Sequence, residues 1–470
     1  MLISQMEIQI YKKFELKPTE EQKKLIFSIS KYILNGQTNS TFVLNGYAGT
    51  GKTSIMSALI KVLSDAEIKM ELLAPTGRAA KVMQYYSGAN THTIHRKIYL
   101  KNSAAVPHYA LNYKTVDDTV FIVDEVSMIA ERSHENNIFG SGNLLGDLIE
   151  YVFAGNRNKL ILVGDSAQLP PVGMLESPAL SPVTVGYYTN PSFSQLKEVV
   201  RQAHDSLILK NATAIRKIIE SDHAVMPVVE VGEDVEQVVG ADLIEKLEIA
   251  YHNAGKDNTV IVTRSNKRAL HFNKGIRQQI FDMEDEIEAG DRLMVVKNNY
   301  FDIKKDDPFE FIANGDIIVV ERISKIIERY GFRFGYMTYT MPDYANLERE
   351  GWVLLSTLYS EAPSLTSYEQ NQLYENVMMD YASILENKRR ARMVMNNEFF
   401  NALQVKFAYA ITCHKAQGGQ WEHVFVDTPV FGDEELSLEL TRWIYTAVTR
   451  ATKKLYLVGW KKDFFPYNED

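Results

Sequence analysis

The stretch GYAGTGKTS occupies residues 46–54 and directly follows the apolar run TFVLN. Its glycines let the backbone curl so that N–H groups point inward, where they can hold a phosphate together with the helix that follows. In such a loop the ammonium of Lys52 reaches the β- and γ-phosphates, and the hydroxyl of Thr53 binds Mg²⁺. The stretch therefore predicts a site for ATP and Mg²⁺, and a glycine-rich turn that binds nothing is the alternative. The predicted nucleotide contacts are Gly46, Ala48, Gly49, Thr50, Gly51, Lys52, Thr53 and Ser54.

An acidic pair follows another apolar run, in VDEVS at residues 123–127. A phosphate loop that hydrolyses ATP needs carboxylates of this kind. Asp124 is predicted to bind Mg²⁺, through water, and Glu125 to orient and deprotonate the attacking water. Without the loop at 46–54, the same pair would be an ordinary surface feature.

Three more residues can complete such a site. Gln168 follows a third apolar run, in LVGDSAQLPPVG, where it can contact the γ-phosphate and sense its loss. A proline-terminated loop without that contact is the alternative. Arg201 and Arg450 can each balance the negative charge that develops during phosphoryl transfer. Neither is close to residues 46–54 in the chain, so both reach the site only if a second domain closes on the first; otherwise each belongs to a surface ion pair.

The elements that position these residues are predicted to be strands alternating with helices. Residues 41–45 are typical of a strand, and the stretch after the phosphate loop has the apolar spacing of a helix. The apolar face of that helix comprises Ile55, Met56, Leu59, Ile60 and Leu63. Further strand-like runs are LLAPT (72–76), TVFIVDE (119–125), KLILVGD (159–165), NTVIVTR (258–264), RLMVVKN (292–298), DIIVVER (316–322), HVFVDTP (423–429) and KKLYLVGW (453–460). This alternation favours parallel α/β layers, and its spread along the chain predicts more than one sheet.

Composition sets outer limits on the function. The chain has 470 residues, 45% of them apolar and 24% charged, as in ordinary globular proteins with about two to four domains. It lacks a run long enough to cross a membrane and a signal-peptide pattern, so we expect a cytoplasmic protein of prokaryotic or phage-like type. A single cysteine, Cys413, excludes an intrachain disulfide. The net charge of −9 argues against a surface that is basic throughout, although not against a local basic groove.

The order of the motifs resembles one family. Along the chain stand TEEQ (19–22), GYAGTGKTS (46–54), APTGRAAK (74–81), THTIHR (91–96), VDEVS (123–127), GDSAQLPPVG (164–173), LKEVVRQ (196–202), ITCHKAQGGQW (411–421) and YTAVTRA (445–451). GDRLMVVKNN (290–299) and ANGD (313–316) also fit. Together these resemble the superfamily 1 DNA helicases, in the 5′-to-3′ branch that contains the RecD, Dda and Pif types.

The resemblance implies an α/β fold of two RecA-like parallel-sheet domains with two small insertions. The implied division is residues 1–190 for domain 1A, 191–297 with 402–470 for domain 2A, and 298–401 for an SH3-like domain 2B. A pin-bearing insertion, domain 1B, is implied at about residues 97–118. The implied activity is ATP-dependent 5′-to-3′ movement on single-stranded DNA with unwinding of tailed or forked duplexes. The chain is expected to act as a monomer, and G-quadruplexes are a candidate further substrate.

The resemblance also assigns roles to residues. Gln22 would read the adenine, Arg201 and Arg450 would be arginine fingers, and Gly418 would contact the nucleotide. After Gly418 this chain has Gly419 and Gln420 where the family often has an acidic residue. The implied nucleic-acid contacts are Pro75, Thr76, Gly77, His95, Thr412, His414 and Lys415.

Two segments leave alternatives open. Residues 99–118 contain Pro107, His108, Tyr109 and Tyr113, and they can form either a strand-separating pin or a solvated connection. The basic run at 388–392, with Lys388, Arg389, Arg390 and Arg392, can contact DNA phosphates or can simply be solvated. Competing functions are a translocase that does not unwind, a nucleotide-gated regulatory module, and a motor that moves on RNA.

Overall fold

The structure is a computed structural model, and it describes residues 2–101, 109–114, 116–131, 139–200, 206–221, 223, 225–304, 307–309, 311–430 and 437–466. The helices in these residues are α1 (Ile3–Lys13), α2 (Glu20–Asn35), α3 (Lys52–Asp65), α4 (Gly77–Ser87), α5 (Ile94–Ile98), α6 (Leu144–Phe153), α7 (Pro182–Tyr188), α8 (Leu207–Ser221), α9 (Leu243–Ala254), α10 (Asn266–Gln279), α11 (Ser367–Met379), α12 (Asn387–Met395), α13 (Cys413–Ala416) and α14 (Leu438–Val448). The strands are β1 (Ser40–Gly46), β2 (Met70–Ala74), β3 (Thr91–Thr93), β4 (Tyr99–Lys101), β5 (Tyr109–Leu111), β6 (Val120–Val123), β7 (Lys159–Gly164), β8 (Asn190–Leu196), β9 (Val235–Val238), β10 (Thr259–Thr263), β11 (Arg292–Val295), β12 (Ile317–Arg329), β13 (Phe332–Met341), β14 (Leu347–Leu354), β15 (Leu403–Phe407), β16 (Ala410–Thr412), β17 (Trp421–Asp427) and β18 (Ala451–Val458).

The first sheet has six parallel strands in the order β3-β2-β6-β7-β1-β8. Its central strands are apolar and buried except at Lys159, the first residue of β7, as expected when helices cover both faces of a parallel sheet. In parallel strands the carboxyl ends lie at one edge. That edge therefore brings together the phosphate loop after β1, the acidic pair after β6 and the loop after β7.

The second sheet is also parallel, with five strands in the order β16-β10-β17-β18-β9. Helices α8 and α14 pack together against it, in a core that contains Trp443, Ile444 and Leu455. This core also includes Tyr47, Ala167 and Leu169 from loops of the first sheet. The two sheets therefore meet through buried apolar contacts on the side where the loops after β1 and β7 lie. The α/β class predicted from the sequence is confirmed, with two parallel sheets.

The strand-like runs at 292–298 and 316–322 belong to neither parallel sheet. They form β11 and the start of β12 in a closed barrel made of β11-β12-β13-β14-β15. Pairing in the barrel is antiparallel except between β14 and β15. The general expectation of parallel layers does not hold for these two runs, because a short apolar run is compatible with a buried strand of either kind. The run at 316–322 lies within residues 298–401, where a separate inserted domain was expected.

The implied domain boundaries stay predictions, although the sheets can be located against them. Strand β8 extends the first sheet to Leu196, beyond residue 190. The barrel begins at Arg292 and ends at Phe407, so it reaches past 298 and 401 on both sides. The SH3-like assignment of the barrel likewise stays a prediction.

Part of the segment that was predicted to contain a pin forms an antiparallel hairpin of β4 and β5. Pro107 and His108 lie outside the described residues. Tyr109 is buried, with its ring 4.9 Å from that of Phe139 and 4.8 Å from that of Tyr300 in the β11–β12 connection. Tyr113 is 71% exposed. The end of this strand pair next to residue 101 is thus packed against the β11–β12 connection, and Tyr109 is not available to stack on a base pair. None of the described helices has the length and apolar character needed to cross a membrane.

Candidate nucleotide site and nucleic-acid junction

The phosphate loop has the backbone shape that its sequence predicts. Gly49 and Gly51 have φ angles of +74° and +82°, which side-chain-bearing residues seldom adopt. Helix α3 begins at Lys52 and buries all five of the predicted apolar residues. Thr53 and Ser54 are exposed on the first turn of that helix, where a bound phosphate and its cation would approach.

Two side chains hold the loop, Lys52 at the start of α3 and Gln22 from α2. The ammonium of Lys52 donates to the carbonyl oxygen of Tyr47 at 3.0 Å and to that of Gly46. The buried amide of Gln22 donates to the carbonyl of Thr50 at 2.9 Å and accepts from the N–H of Thr19 at 2.9 Å. An amide has two donors and two acceptor sites, so Gln22 retains one of each. Its implied contact with adenine stays a prediction.

The acidic pair lies directly after β6. Asp124 accepts hydrogen bonds from the hydroxyl of Tyr86 at 2.7 Å and from the N–H of Glu125 at 2.8 Å. Burial raises the pKa of both carboxyls, and Asp124 raises the pKa of Glu125 further, while Arg450 and Lys52 lower it. Glu125 has a φ angle of +53°, a strained conformation of the kind that clusters at functional sites.

The loop after β7 places Asp165 and Gln168 beside the phosphate loop. Asp165 is buried, accepts from the N–H of Ala167 at 2.9 Å, and lies 4.0 Å from the ammonium of Lys52. Gln168 is also buried, and its Oε1 has no hydrogen-bond partner in the described part of the chain. A residue that holds the attacking water needs a buried acceptor beside the phosphate loop with no protein partner, and Oε1 of Gln168 is such an acceptor.

Helix α14 and the loop after α13 reach across to these loops. The hydroxyl of Tyr445 accepts from the N–H of Ala48 at 2.9 Å and donates to Asp165 at 2.8 Å. Thr446 accepts from the N–H of Leu169 at 2.8 Å. Gln417 donates to the carbonyl of Leu169 at 2.7 Å, and Arg442 donates to the carbonyl of Ser166. Sequence reasoning missed these four side chains as functional residues; the YTAVTRA motif was the signal for Tyr445 and Thr446.

Of the two arginines predicted to balance charge on the phosphoryl group, the structure describes Arg450. Arg450 is buried at the end of α14 and donates to the carbonyls of Thr446 and Gly419 at 2.9 and 3.2 Å. It forms no ion pair within the described ranges, yet it is close enough to lower the pKa of Glu125. Arg201 lies outside the described residues. Its neighbour Val200 donates its N–H to the carbonyl of Gly49 at 3.1 Å, so the chain before Arg201 runs beside the phosphate loop.

A second cluster lies where α4, the barrel and the loop around α13 meet, and we call it the junction: residues 75–77, 314–316 and 412–418. Thr76 caps α4 by accepting from the N–H of Ala79 at 3.2 Å, and its hydroxyl hydrogen remains to donate. A Cβ atom on Gly77 would lie 2.7 Å from Oδ1 of Asp316, and one on Gly418 would lie 3.5 Å from Oγ1 of Thr76. Gly418 therefore contacts α4, and no described contact supports its implied role at the nucleotide.

The other implied nucleic-acid residues divide between the junction and the core. The ammonium of Lys415 donates to the side chain of Asn314, and Thr412 and His414 are half-buried beside it. Burial lowers the pKa of His414, so this ring is neutral near pH 7. Pro75 is half-buried next to Thr76.

His95 does not join them. Its ring packs between Tyr99 and Phe139, with centroids 5.8 and 4.9 Å away, and burial lowers its pKa to about 4. An uncharged ring enclosed by aromatic neighbours is poorly placed to contact a phosphate.

Arg78 forms a further contact across the junction that the sequence did not reveal. Its guanidinium lies over the ring of Trp421 in the second sheet, 3.9 Å from the ring centroid. A Cβ atom on Gly419 would lie 2.6 Å from Arg78 Nε, so only glycine leaves room for this stack. Helix α4 is thereby fixed to the second sheet on the same side as Gly418.

The described residues fit ATP and Mg²⁺. The loop has the shape that holds phosphate, Lys52 and Arg450 supply positive charge, and Thr53 with Asp124 supply the oxygen ligands that Mg²⁺ prefers. Among the described residues, three or more His, Cys, Asp or Glu side chains nowhere cluster as an all-protein metal site would require. Mg²⁺ that is held partly by nucleotide phosphates does not need such a cluster.

Comparisons with known proteins agree with this site. Residues 20–225 match the AAA domain family, and residues 407–458 match the UvrD-like helicase C-terminal domain family. The chain is 25% identical over 469 residues to the ATP-dependent DNA helicase dda of Enterobacteria phage T4, covering 94% of this chain and 99% of that protein. It is 21% identical over 479 residues to the RecBCD enzyme subunit RecD of Buchnera aphidicola, covering 91% and 71%. A solved structure of Bacteroides Pif1 bound to single-stranded DNA is similar with a TM-score of 0.50 at 15% identity, covering 97% and 95%.

The fold and the site thus define a phosphate-loop ATPase with two RecA-like domains. The two family matches and the similarity to dda and RecD support a superfamily 1 helicase of the 5′-to-3′ branch that contains the RecD, Dda and Pif types. The resemblance predicted from the motif order is confirmed.

Proposed function

We propose that this chain is an ATP-dependent DNA helicase that moves 5′ to 3′ along single-stranded DNA and separates duplexes ahead of it. The observation that carries the proposal is the contact of Tyr445, on helix α14 of the second domain, with both the phosphate loop and Asp165 of the first. A site built from two domains changes their spacing when its ligand changes. That coupling is what a motor requires and a simple nucleotide-binding module does not.

The proposed chemistry uses residues at the edge of the first sheet. Lys52, Thr53 and Asp124 would hold the nucleotide phosphates with Mg²⁺, which supplies charge compensation on the phosphate oxygens. Glu125 would take the proton of the attacking water at its carboxylate, and Oε1 of Gln168 would accept a hydrogen bond from the same water.

Arg450, and Arg201 by resemblance, would balance the charge on the transferring phosphoryl group. Arg450 is the better supported of the two, because its side chain is already buried close to Glu125. Gln22 would add an adenine contact through the donor and acceptor that its amide retains.

The proposed movement uses the junction. Thr76 and Gly77 lie on the first domain, and Thr412, His414 and Lys415 on the second, so a strand crossing the junction is held by both. Contacts of this type bind phosphates and do not read base sequence. If the domains approach with ATP bound and separate after hydrolysis, alternating grips move the strand.

Several finer features belong to the proposal. We expect the substrate to be single-stranded DNA joined to a tailed or forked duplex, and the active form to be a monomer. Activity on G-quadruplexes and placement in a prokaryotic or phage-infected cytoplasm are further expectations. The hairpin of β4 and β5 is the candidate for the strand-separating element.

The test is ATP turnover by the full chain in Mg²⁺, with and without single-stranded DNA. We expect strong stimulation by DNA, and Lys52→Ala to abolish turnover while retaining much of the DNA binding. Turnover that ignores DNA would leave the nucleotide site intact and would favour a regulatory ATPase instead.

A further inference from the structure

The barrel contains a pocket that is separate from the nucleotide site and the junction. The pocket has a volume of about 250 Å³ and is lined by the β11–β12 connection, β13, β14 and the chain before β15. Its aromatic lining comprises Phe301, Tyr336, Tyr339 and Trp352. The rings of Tyr336 and Trp352 are 5.2 Å apart at 70°, and Phe399 supports Trp352 from behind at 4.7 Å. We call this the barrel pocket.

The charged residues of the barrel pocket are mostly acidic. Among the described residues, Asp302, Glu350 and Glu398 line it, together with the cation Arg349. Arg349 is already held by an ion pair with Asp307 and lies 3.8 Å from Asp302. Glu350 and Glu398 have no ion-pair partner in the described part of the chain. These carboxylates surround the phenol of Tyr336: burial raises its pKa, and Glu350, Glu398 and Asp302 raise it further.

Size and charge restrict what can occupy this pocket. Pockets for small-molecule ligands are usually about 300–1,000 Å³, so this one is too small for a nucleotide and suits a single side chain. Three carboxylates repel the phosphates of DNA. Aromatic faces and carboxylates together attract an organic cation, and guanidinium is the cation that both stacks on rings and donates paired hydrogen bonds to carboxylates. Small barrels with aromatic grooves also bind extended, proline-rich peptide segments.

We propose that the barrel pocket binds an arginine side chain presented by an extended segment of a partner protein. This interaction is independent of ATP turnover. It would attach the chain to a second protein through the barrel while the junction remains free for DNA.

The probe for this proposal is a blocked pentapeptide, acetyl-Ala-Pro-Arg-Pro-Ala-amide, titrated into the full chain by calorimetry. We expect saturable binding at one site per chain. A matched peptide with glutamine in place of arginine should bind at least about tenfold more weakly, because it lacks the cation. Absence of saturable binding by the arginine peptide, or equal binding of both peptides, would overturn the proposal.

Tryptophan fluorescence locates the binding. The chain has four tryptophans. Trp421, Trp443 and Trp460 are at most 5% exposed, whereas Trp352 is half-buried in the pocket lining. The arginine peptide should therefore change the emission of the wild-type chain and not that of Trp352→Phe. An equal change in both proteins would place the peptide elsewhere.

Substitutions in the acidic lining test whether the pocket binds the arginine peptide or DNA. The double variant Glu350→Gln with Glu398→Gln should bind the arginine peptide at least about tenfold more weakly, with unchanged ATP turnover. Glu348→Gln is the matched control, because Glu348 is an exposed carboxylate on the same strand that does not line the pocket. Unchanged peptide binding by the double variant would overturn the proposal. So would displacement of the peptide by a short oligothymidylate, since it would make this a DNA site.

Discussion

The hydroxyl group of Tyr445 is shared between the N–H of Ala48 and the carboxylate of Asp165. Tyr445→Phe leaves the half-buried N–H of Ala48 and the buried carboxylate of Asp165 each short of one partner, at a cost of about 1–3 kcal/mol for a fully buried group. We expect turnover at saturating ATP and DNA to fall by about tenfold, as measured by steady-state phosphate release.

The matched control is Tyr85→Phe, which alters a tyrosine that is 93% exposed. A double-mutant cycle with Asp165→Asn should be strongly non-additive, because the two side chains share one contact. Additive effects, or wild-type turnover by Tyr445→Phe, would remove this hydroxyl from the coupling between the domains.

Glu125 is the proposed base, and its backbone is held in the left-handed region next to Asp124. Glu125→Gln keeps the size of the side chain and removes its ability to take a proton. We expect turnover to fall by about 10²–10⁴ while ATP binding is retained, as measured by phosphate release and by nucleotide binding. Glu248→Gln, an exposed position on α9, serves as control. Turnover within a few-fold of wild type would assign the base elsewhere.

Arg450 is buried close to the same site without a carboxylate partner among the described residues. Arg450→Ala should lower turnover by about 10³ or more, the scale of an arginine finger. Arg450→Lys should restore little of it, because an ammonium lacks the planar fork of donors. If Arg450→Ala lowers turnover only slightly at unchanged thermal stability, Arg450 does not act as an arginine finger.

At the scale of elements, the N-terminus of α4 and the start of β12 meet around Asp316. This carboxyl accepts from the N–H of Ala313 at 2.8 Å and from the hydroxyl of Tyr344 at 3.2 Å, and Asp343 is its charged neighbour. Burial raises its pKa to about 7 from the usual 3.8. In the folded chain it therefore keeps a proton that the unfolded chain has lost, so its contribution to stability is present at low pH and lost as pH rises through about 7.

Asp316→Asn stays neutral at every pH and preserves an acceptor for both partners. We expect the fall in Tm between about pH 5.5 and pH 8 to be smaller in this variant than in the wild type. Asp463→Asn, at an exposed position, should leave the pH dependence unchanged. An equal fall in wild type and Asp316→Asn would show that Asp316 does not titrate in this range.

The elements that were predicted correctly are those specified by short stretches of chain. The phosphate loop, the apolar face of α3 and the strand before Asp124 each follow from local spacing and turn chemistry. The packing of His95 and Tyr109 could not be predicted from their own stretches of chain, because it depends on Phe139 and on Tyr300, which is about 200 residues away in the β11–β12 connection. Tyr445 and Arg78 were missed for the same reason, since their partners lie in the other domain.

At the scale of the whole molecule, net charge and DNA binding have to be reconciled. The chain carries a charge of −9, so binding must depend on local contacts at the junction. We expect affinity for single-stranded DNA to fall steeply with added salt, because each neutralised phosphate releases counterions. Titrations at several salt concentrations measure the slope of log affinity against log salt. Lys415→Gln should reduce the magnitude of this slope by about one, because one phosphate contact is lost. A flat salt dependence would contradict phosphate binding at the junction.

The central claim is that ATP hydrolysis between two domains drives directional movement on DNA. The most direct test is unwinding of a duplex with either a 5′ or a 3′ single-stranded tail, in ATP and Mg²⁺, with Lys52→Ala as the inactive control. We predict strand separation from the 5′ tail alone and none by Lys52→Ala. Unwinding from the 3′ tail, or none from either tail despite DNA-stimulated turnover, would contradict the account.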